Sequence, residues 1–209
     1  MRGFVLRDGM AVAVLDDEER TVVARIVADV GLLLGGESFG LEERVDDAED
    51  ADDPFAFLRG LEESIREPSD PAILRLLPNA APTDREASDE FRRLTEGELR
   101  SGKVRRLRHV WEQLSADGDE WAIPAEDALA ASSALTDVRL VLASRLGIVT
   151  DDDAERLHRE IELASEALEH DDPLPVDHER MWLGMLYQAL SWLQESLMTL
   201  VMDAEEGDD

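Results

Sequence analysis

Between Leu99 and Trp111 lie five cations, Arg100, Lys103, Arg105, Arg106 and Arg108, with no acidic residue among them. Arg92 and Arg93 precede them by about two turns of helix. On a helix the five spread over the polar arc opposite Val104, Leu107 and Trp111, which suits an anion or the acidic surface of a protein partner. The rival use of the same arc is internal: a chain rich in carboxylates offers it ion-pair partners, for instance along a helix at 151–166. A second set of charges sits inside apolar runs. Asp137, Arg139 and Arg145 fall within Leu135–Gly147, and Glu195 within Trp192–Leu197. Charges so placed must be paired, so Arg139 or Arg145 is expected to meet Glu195 or Asp137 and lock two helices in register. The other reading is a polar pocket between those helices.

Other chemistry finds less footing. The chain contains no cysteine, which removes thiolate metal sites, iron-sulfur clusters, thiol nucleophiles and thiol redox switches. Its four histidines are His109, His158, His170 and His178. His170-Asp171-Asp172 and Asp177-His178-Glu179 flank one turn, but neither shows the i, i+4 spacing of a helical metal site, and no metal is expected. No serine lies in a Gly-x-Ser-x-Gly elbow, and Gly31, Gly35, Gly36 and Gly40 lack the lysine of a phosphate-binding loop. Fifty carboxylates are too many to single out an acid/base pair. No catalytic residue and no cofactor is therefore assigned.

These residues belong to a chain of 209 with 50 acids against 21 bases, a formal charge of -29 and 44% hydrophobic residues. That apolar content supports a cored domain despite the charge. The basic side is 20 arginines and the single lysine, Lys103. Residues 83–118 hold eight bases and eight acids, so the whole net charge resides elsewhere. A phosphate backbone would be repelled by the summed field, and no helix-turn-helix spacing stands out, so direct sequence-specific DNA binding is not expected. The first residues lack a signal-peptide hydrophobic region, and Met181–Met202 carries a polar stripe of Gln188, Ser191, Gln194, Glu195, Ser196 and Thr199, so the expectation is a cytoplasmic protein with no membrane span.

Asp8-Gly9 between β-prone runs predicts an N-terminal hairpin. Asp16 caps a first helix ending at Gly35-Gly36, and an acidic, apolar-poor stretch at 42–53 reads as a mobile loop. Asp53-Pro54 and Asp70-Pro71 open helices over 54–66 and 71–77. Thr83-Asp84-Arg85-Glu86 reads as a capping box, and Gly97 and Gly102 predict two helices joined near Gly102 or one bent helix. Trp121-Ala122-Ile123 is a short extended piece, Pro124 opens a helix closed by Gly147, Thr150 opens an acidic helix, and Asp177 caps a long apolar one ending near Met202. The fold class is mainly α: one helical-bundle domain over 1–203 with a small N-terminal β-hairpin and a buried, central C-terminal helix, followed by a disordered acidic tail at 204–209. Trp182, Met185, Trp192 and Met198 line either a monomer core or a homodimer seam.

Four blocks carry a family likeness: Leu74–Pro78, Phe91–Lys103, Leu135–Gly147 and Trp192–Leu197. In this order they resemble an actinobacterial family catalogued as domain of unknown function two thousand and seventeen, whose members include the AosR regulators of oxidative-stress transcription. The resemblance implies a cytoplasmic, non-enzymatic regulator, often encoded beside the Clp adaptor ClpS and cysteine-biosynthesis genes. It transfers no catalytic residue. Sensing through paired thiols is closed to this chain, which has none. The expected function is regulation by protein contact through Arg92, Arg93, Arg100, Lys103, Arg105, Arg106 and Arg108, with transcription machinery in a stress response as the partner. The alternatives are an adaptor of Clp-type proteolysis and a helical hydrolase with a carboxylate metal site.

Overall fold

The computed structural model describes residues 1–36, 39, 70–81, 83–116, 118–170 and 173–206. The expected loop at 42–53 and helix at 54–66 lie outside the described residues. Asp8 and Gly9 both adopt positive φ, 52° and 77°, as a two-residue primed turn requires. They join β1 (Arg2–Arg7) to β2 (Met10–Val14) in an antiparallel hairpin. The hairpin is not alone. β3 (Glu120–Pro124) pairs antiparallel with the other edge of β2, with Ala11 opposite Ile123 and Ala13 opposite Trp121. The extended piece at Trp121–Ile123 thus completes a three-stranded sheet in the order β1-β2-β3. Isolated hairpins are marginal in water, and the consecutive buried Ala11, Val12 and Ala13 of β2 mark a strand covered on both faces.

Among the described residues six helices follow, most of them started by the expected residues. Asp16 and Glu19 form a reciprocal capping box, at 2.8 and 3.0 Å, that opens α1 (Asp17–Leu33). Asp70 accepts from the Ala72 amide at 2.8 Å ahead of the short α2 (Pro71–Leu76). α3 (Arg85–Ser115) is capped by Asp84, which accepts from the Ala87 amide at 3.1 Å, rather than by Thr83.

α3 also runs unbroken through Gly97 and Gly102, contrary to the expected joint. A Cβ added at Gly97 would meet nothing, and one at Gly102 would meet only the Arg106 guanidinium at 3.7 Å. Neither glycine serves close packing, and burial of Leu107, Val110 and Leu114 beside α1 holds the helix together despite them. Gly97→Ala and Gly102→Ala should therefore each raise stability by roughly 0.5–1 kcal/mol, read as a higher urea midpoint at constant m-value.

After a 3-10 turn at Ala125–Asp127, α4 (Ala128–Leu146) ends at Gly147 with φ 71°. Pro124 thus leads into the turn, and the helix proper begins at Ala128. Thr150 and Asp153 form the capping box of α5 (Asp151–Glu169). Amides of Val149 and Thr150 and the Arg156 guanidinium hold the Asp153 carboxyl far below the usual carboxylate range. Asp177 accepts from the Arg180 amide at 2.7 Å at the start of α6 (His178–Glu206).

The centre of the molecule is α4, not the last helix. Eleven of its nineteen residues are buried, and it touches α1, α2, α3 and α6. α6 buries the stripe Leu186, Leu190, Leu193 and Leu197 and, against α5, Gly184, while Trp182, Met185 and Trp192 remain about half exposed. Its polar residues face neighbours as well as solvent: the Ser196 hydroxyl accepts from the Phe4 amide at 2.9 Å, fastening β1 to the helix. α6 continues to Glu206, into the stretch expected to be a disordered tail, and 207–209 lie outside the described residues. Among the described residues no helix is long and apolar enough to cross a membrane.

Candidate functional site

All seven candidate partner-binding cations project from α3, yet they divide sharply by what they touch. Arg92 is buried and donates to Glu96 Oε2 at 2.7 Å; Glu96 Oε1 accepts from Arg100 at 2.7 Å. The i, i+4 spacing on both sides of Glu96 stacks these three groups along one helix face. Arg100 also donates to the Leu34 carbonyl at 3.0 Å, pinning α3 to the C-terminal end of α1, where a cation complements the helix dipole. Lys103 Nζ lies 2.5 Å from Asp137 Oδ1 of α4, and the Asp137 side chain is only 3% exposed. Arg93 forms a surface fork with Glu90, whose carboxyl that guanidinium holds below its ordinary range.

The expectation that all seven face a partner therefore needs correction: Arg92, Arg93, Arg100 and Lys103 are paired within the chain. Their partners lie on α3 itself and on α4, not on the helix at 151–169. Arg108 lies over the Phe39 ring at 5.3 Å. Arg105 is exposed and Arg106 half-buried, and neither forms an ion pair among the described residues. Arg105 borders an open depression of about 410 Å³ with Gly35, Gly36, Arg100, Ser101, Val104 and Arg108. The hollow brings Arg105 to solvent at a concave surface. Its guanidinium lining suits carboxylates.

The second set is arranged differently from the expected interhelical pair. Asp137 is taken by Lys103, and Glu195 is exposed. Arg139 bonds neutral groups of α6: its Nε donates to Ser191 Oγ at 2.8 Å and its Nη1 to Gln194 Oε1 at 2.6 Å, while its guanidinium lies 5.6 Å from the Tyr187 ring centre. Gln194 in turn donates to Thr136 Oγ1 at 2.6 Å and to the Ser132 carbonyl at 3.1 Å. A polar seam thus lies between α4 and α6, but it is filled by its own hydrogen bonds. Arg145 forms a two-pronged contact with Asp70 at 2.7 and 3.1 Å. That contact, with the Ala72 amide, holds the Asp70 carboxyl below its usual range.

One important residue escaped the sequence reading. Arg20 is buried, and its guanidinium donates to the carbonyls of Leu114 at 2.8 Å, Glu120 at 3.0 Å, and also Ala116. It satisfies the orphan carbonyls at the end of α3 and ties them to β3. The signal was available: Arg20, Val23, Val27, Val30 and Leu34 recur at three and four residues, which places Arg20 on the core stripe of α1.

Among the described residues, histidine side chains contact Asp127, Gln113, Gln188, Glu162 and the Glu166 carbonyl. Among the described residues no group of three His, Asp or Glu side chains stands close enough to hold a metal ion.

No curated protein matches the chain, and no solved structure does. A family model described as "Domain of unknown function (DUF2017)" matches residues 1–201, and the chain belongs to that family.

Proposed function

We propose that this protein is a non-enzymatic regulator that works by contact with another protein, and that the exposed Arg105 and the half-buried Arg106 beside it on α3 make that contact. One observation carries the reading. In a chain of charge -29, these two guanidinium groups have no acidic partner among the described residues, while four neighbouring cations are already engaged. The complementary surface on the partner is a carboxylate pair, aligned by the bidentate geometry that arginine favours. The resemblance of the four sequence blocks to the AosR-like regulators suggests transcription machinery as the source of that surface. A role in Clp-type proteolysis rests on kinship alone and has no residue on this surface that favours it.

The test is affinity purification of tagged full-length chain from native cells, read by quantitative mass spectrometry. Arg105→Glu/Arg106→Glu should lose the partner by at least about tenfold, and comparison with Arg105→Glu, whose thermal melt should stay within a few degrees as surface substitutions do, separates any loss of stability at the half-buried Arg106. Arg105→Glu alone, at the exposed position, should lose most of the same capture. Capture unchanged by either variant would remove this reading.

A further inference from the structure

The outer face of α6 is apolar where a solvated helix would be polar. Trp182, Met185 and Trp192 are 49, 48 and 48% exposed. With Ala189 they recur at three and four residues, so they form one seam along the outside of the N-terminal half of the helix. The seam ends against the sheet: Trp192 packs over Gly3 of β1, where an added Cβ would come within 3.1 Å of the indole. Two tryptophans and a methionine aligned in water mark an interaction surface more than scattered exposure does.

The charge beside the seam indicates what covers it. α5 lies against α6 at Gly184, where a Cβ would collide with Ile161 at 2.7 Å, so the two helices approach closely. His158 of α5 contacts Gln188 of α6 at 3.1 Å, three and four residues from Met185 and Trp192, and pairs with Glu162 at 3.2 Å. These contacts set the His158 side of α5 along the border of the seam. Glu155, Glu162 and Glu169, all exposed, recur every seven residues on that side, in a helix with eight acids and two arginines. The seam is therefore an apolar surface with an anionic wall beside it, in which Glu155 lies 3.8 Å from Arg159.

We propose that the Trp182–Met185–Trp192 seam of α6, bordered by Glu155, Glu162 and Glu169 of α5, docks a cationic amphipathic helix of a partner protein. The apolar side of that helix covers the indoles, and its lysines or arginines meet the glutamates. A second copy of this chain is a poor occupant, because it would set acidic wall against acidic wall and one charge of -29 against another. This surface is separate from Arg105 and Arg106, so either can fail without the other.

The probe is a synthetic leucine-lysine amphipathic helix of about eighteen residues, compared with a peptide of the same composition and scrambled periodicity, against the full chain in about 0.15 M salt. Tryptophan emission should shift to the blue on titration with the patterned peptide, which should bind at least about tenfold tighter than the scrambled one. Met185→Glu should weaken binding by about tenfold although it adds attractive charge, and Trp182→Ala should do the same with the melt unchanged. Glu162→Lys should weaken binding and flatten its salt dependence. Equal binding of the two peptides, or binding unaffected by Met185→Glu and Trp182→Ala, would overturn the proposal. So would a solution dimer that Met185→Glu dissolves, which would make a second copy the occupant. Binding that appears only after Leu58 and Leu61 are changed to serine would assign the seam to the chain's own residues 54–66 and would also overturn it.

Discussion

Lys103→Met should destabilise the protein by about 3–5 kcal/mol, the usual consequence of leaving one half of a buried ion pair behind. Asp137 lies on the central helix with a side chain 3% exposed, and Lys103 supplies its cation at 2.5 Å. Its second oxygen, Oδ2, is already buried with no hydrogen-bond partner among the described residues. Removing both charges is a different experiment. Lys103→Met/Asp137→Leu should recover most of the loss, because an apolar pair of similar volume carries no desolvation penalty. Urea melts of the two single variants and the double variant give the coupling directly. A Lys103→Met loss below about 1 kcal/mol would mean the pair is wet and structurally idle.

Arg20→Met should lower stability by about 3 kcal/mol, since hydrogen bonds from a charged donor contribute more than neutral ones and several carbonyls lose theirs together. Methionine keeps most of the apolar stem, so the deficit reports the guanidinium. The loss should be local in its first effect: amide exchange should accelerate in β3 and in the last turn of α3 before it does in α4. Arg20→Lys keeps the charge but reaches one cluster of carbonyls at a time, so it should recover about half of the difference. Stability within about 0.5 kcal/mol of the parent in Arg20→Met would show that solvent satisfies those carbonyls as well as arginine does.

What the sequence discloses of this fold is mainly what is local. Asp16, Asp70, Thr150 and Asp177 start their helices, and Gly147 stops α4, because a cap is a contact between residues a few positions apart. The Asp8-Gly9 turn is local in the same sense. Gly102 misleads because packing against α1 overrides its weak helix propensity. The third strand needs a pairing across more than a hundred residues, which no short-range pattern encodes. Which helix becomes central is likewise a matter of neighbours: α4 has helices on more sides than α6.

The candidate site was legible as a basic island and illegible in its division. Eight acids share the segment 83–118 with its eight bases, and only coordinates tell that Glu96 takes Arg92 and Arg100 while Arg105 is left to solvent. Asp137 is a charge that needs a partner, but the donors its sequence context suggests, Arg139 and Arg145, point to Gln194 and Asp70. With 50 carboxylates available, spacing could not select among them.

The most direct measurement is photo-cross-linking from the hollow itself. Ser101 is exposed, lies one turn before Arg105 and lines the same depression, so a photoreactive residue there leaves every cation of α3 in place. Leu129, exposed on α4, serves as the control position. Irradiation in native cells should give one discrete adduct from position 101 that disappears with Arg105→Glu, and none from position 129. No adduct from 101, or the same adduct from both positions regardless of Arg105, would contradict a partner held at this end of the basic island.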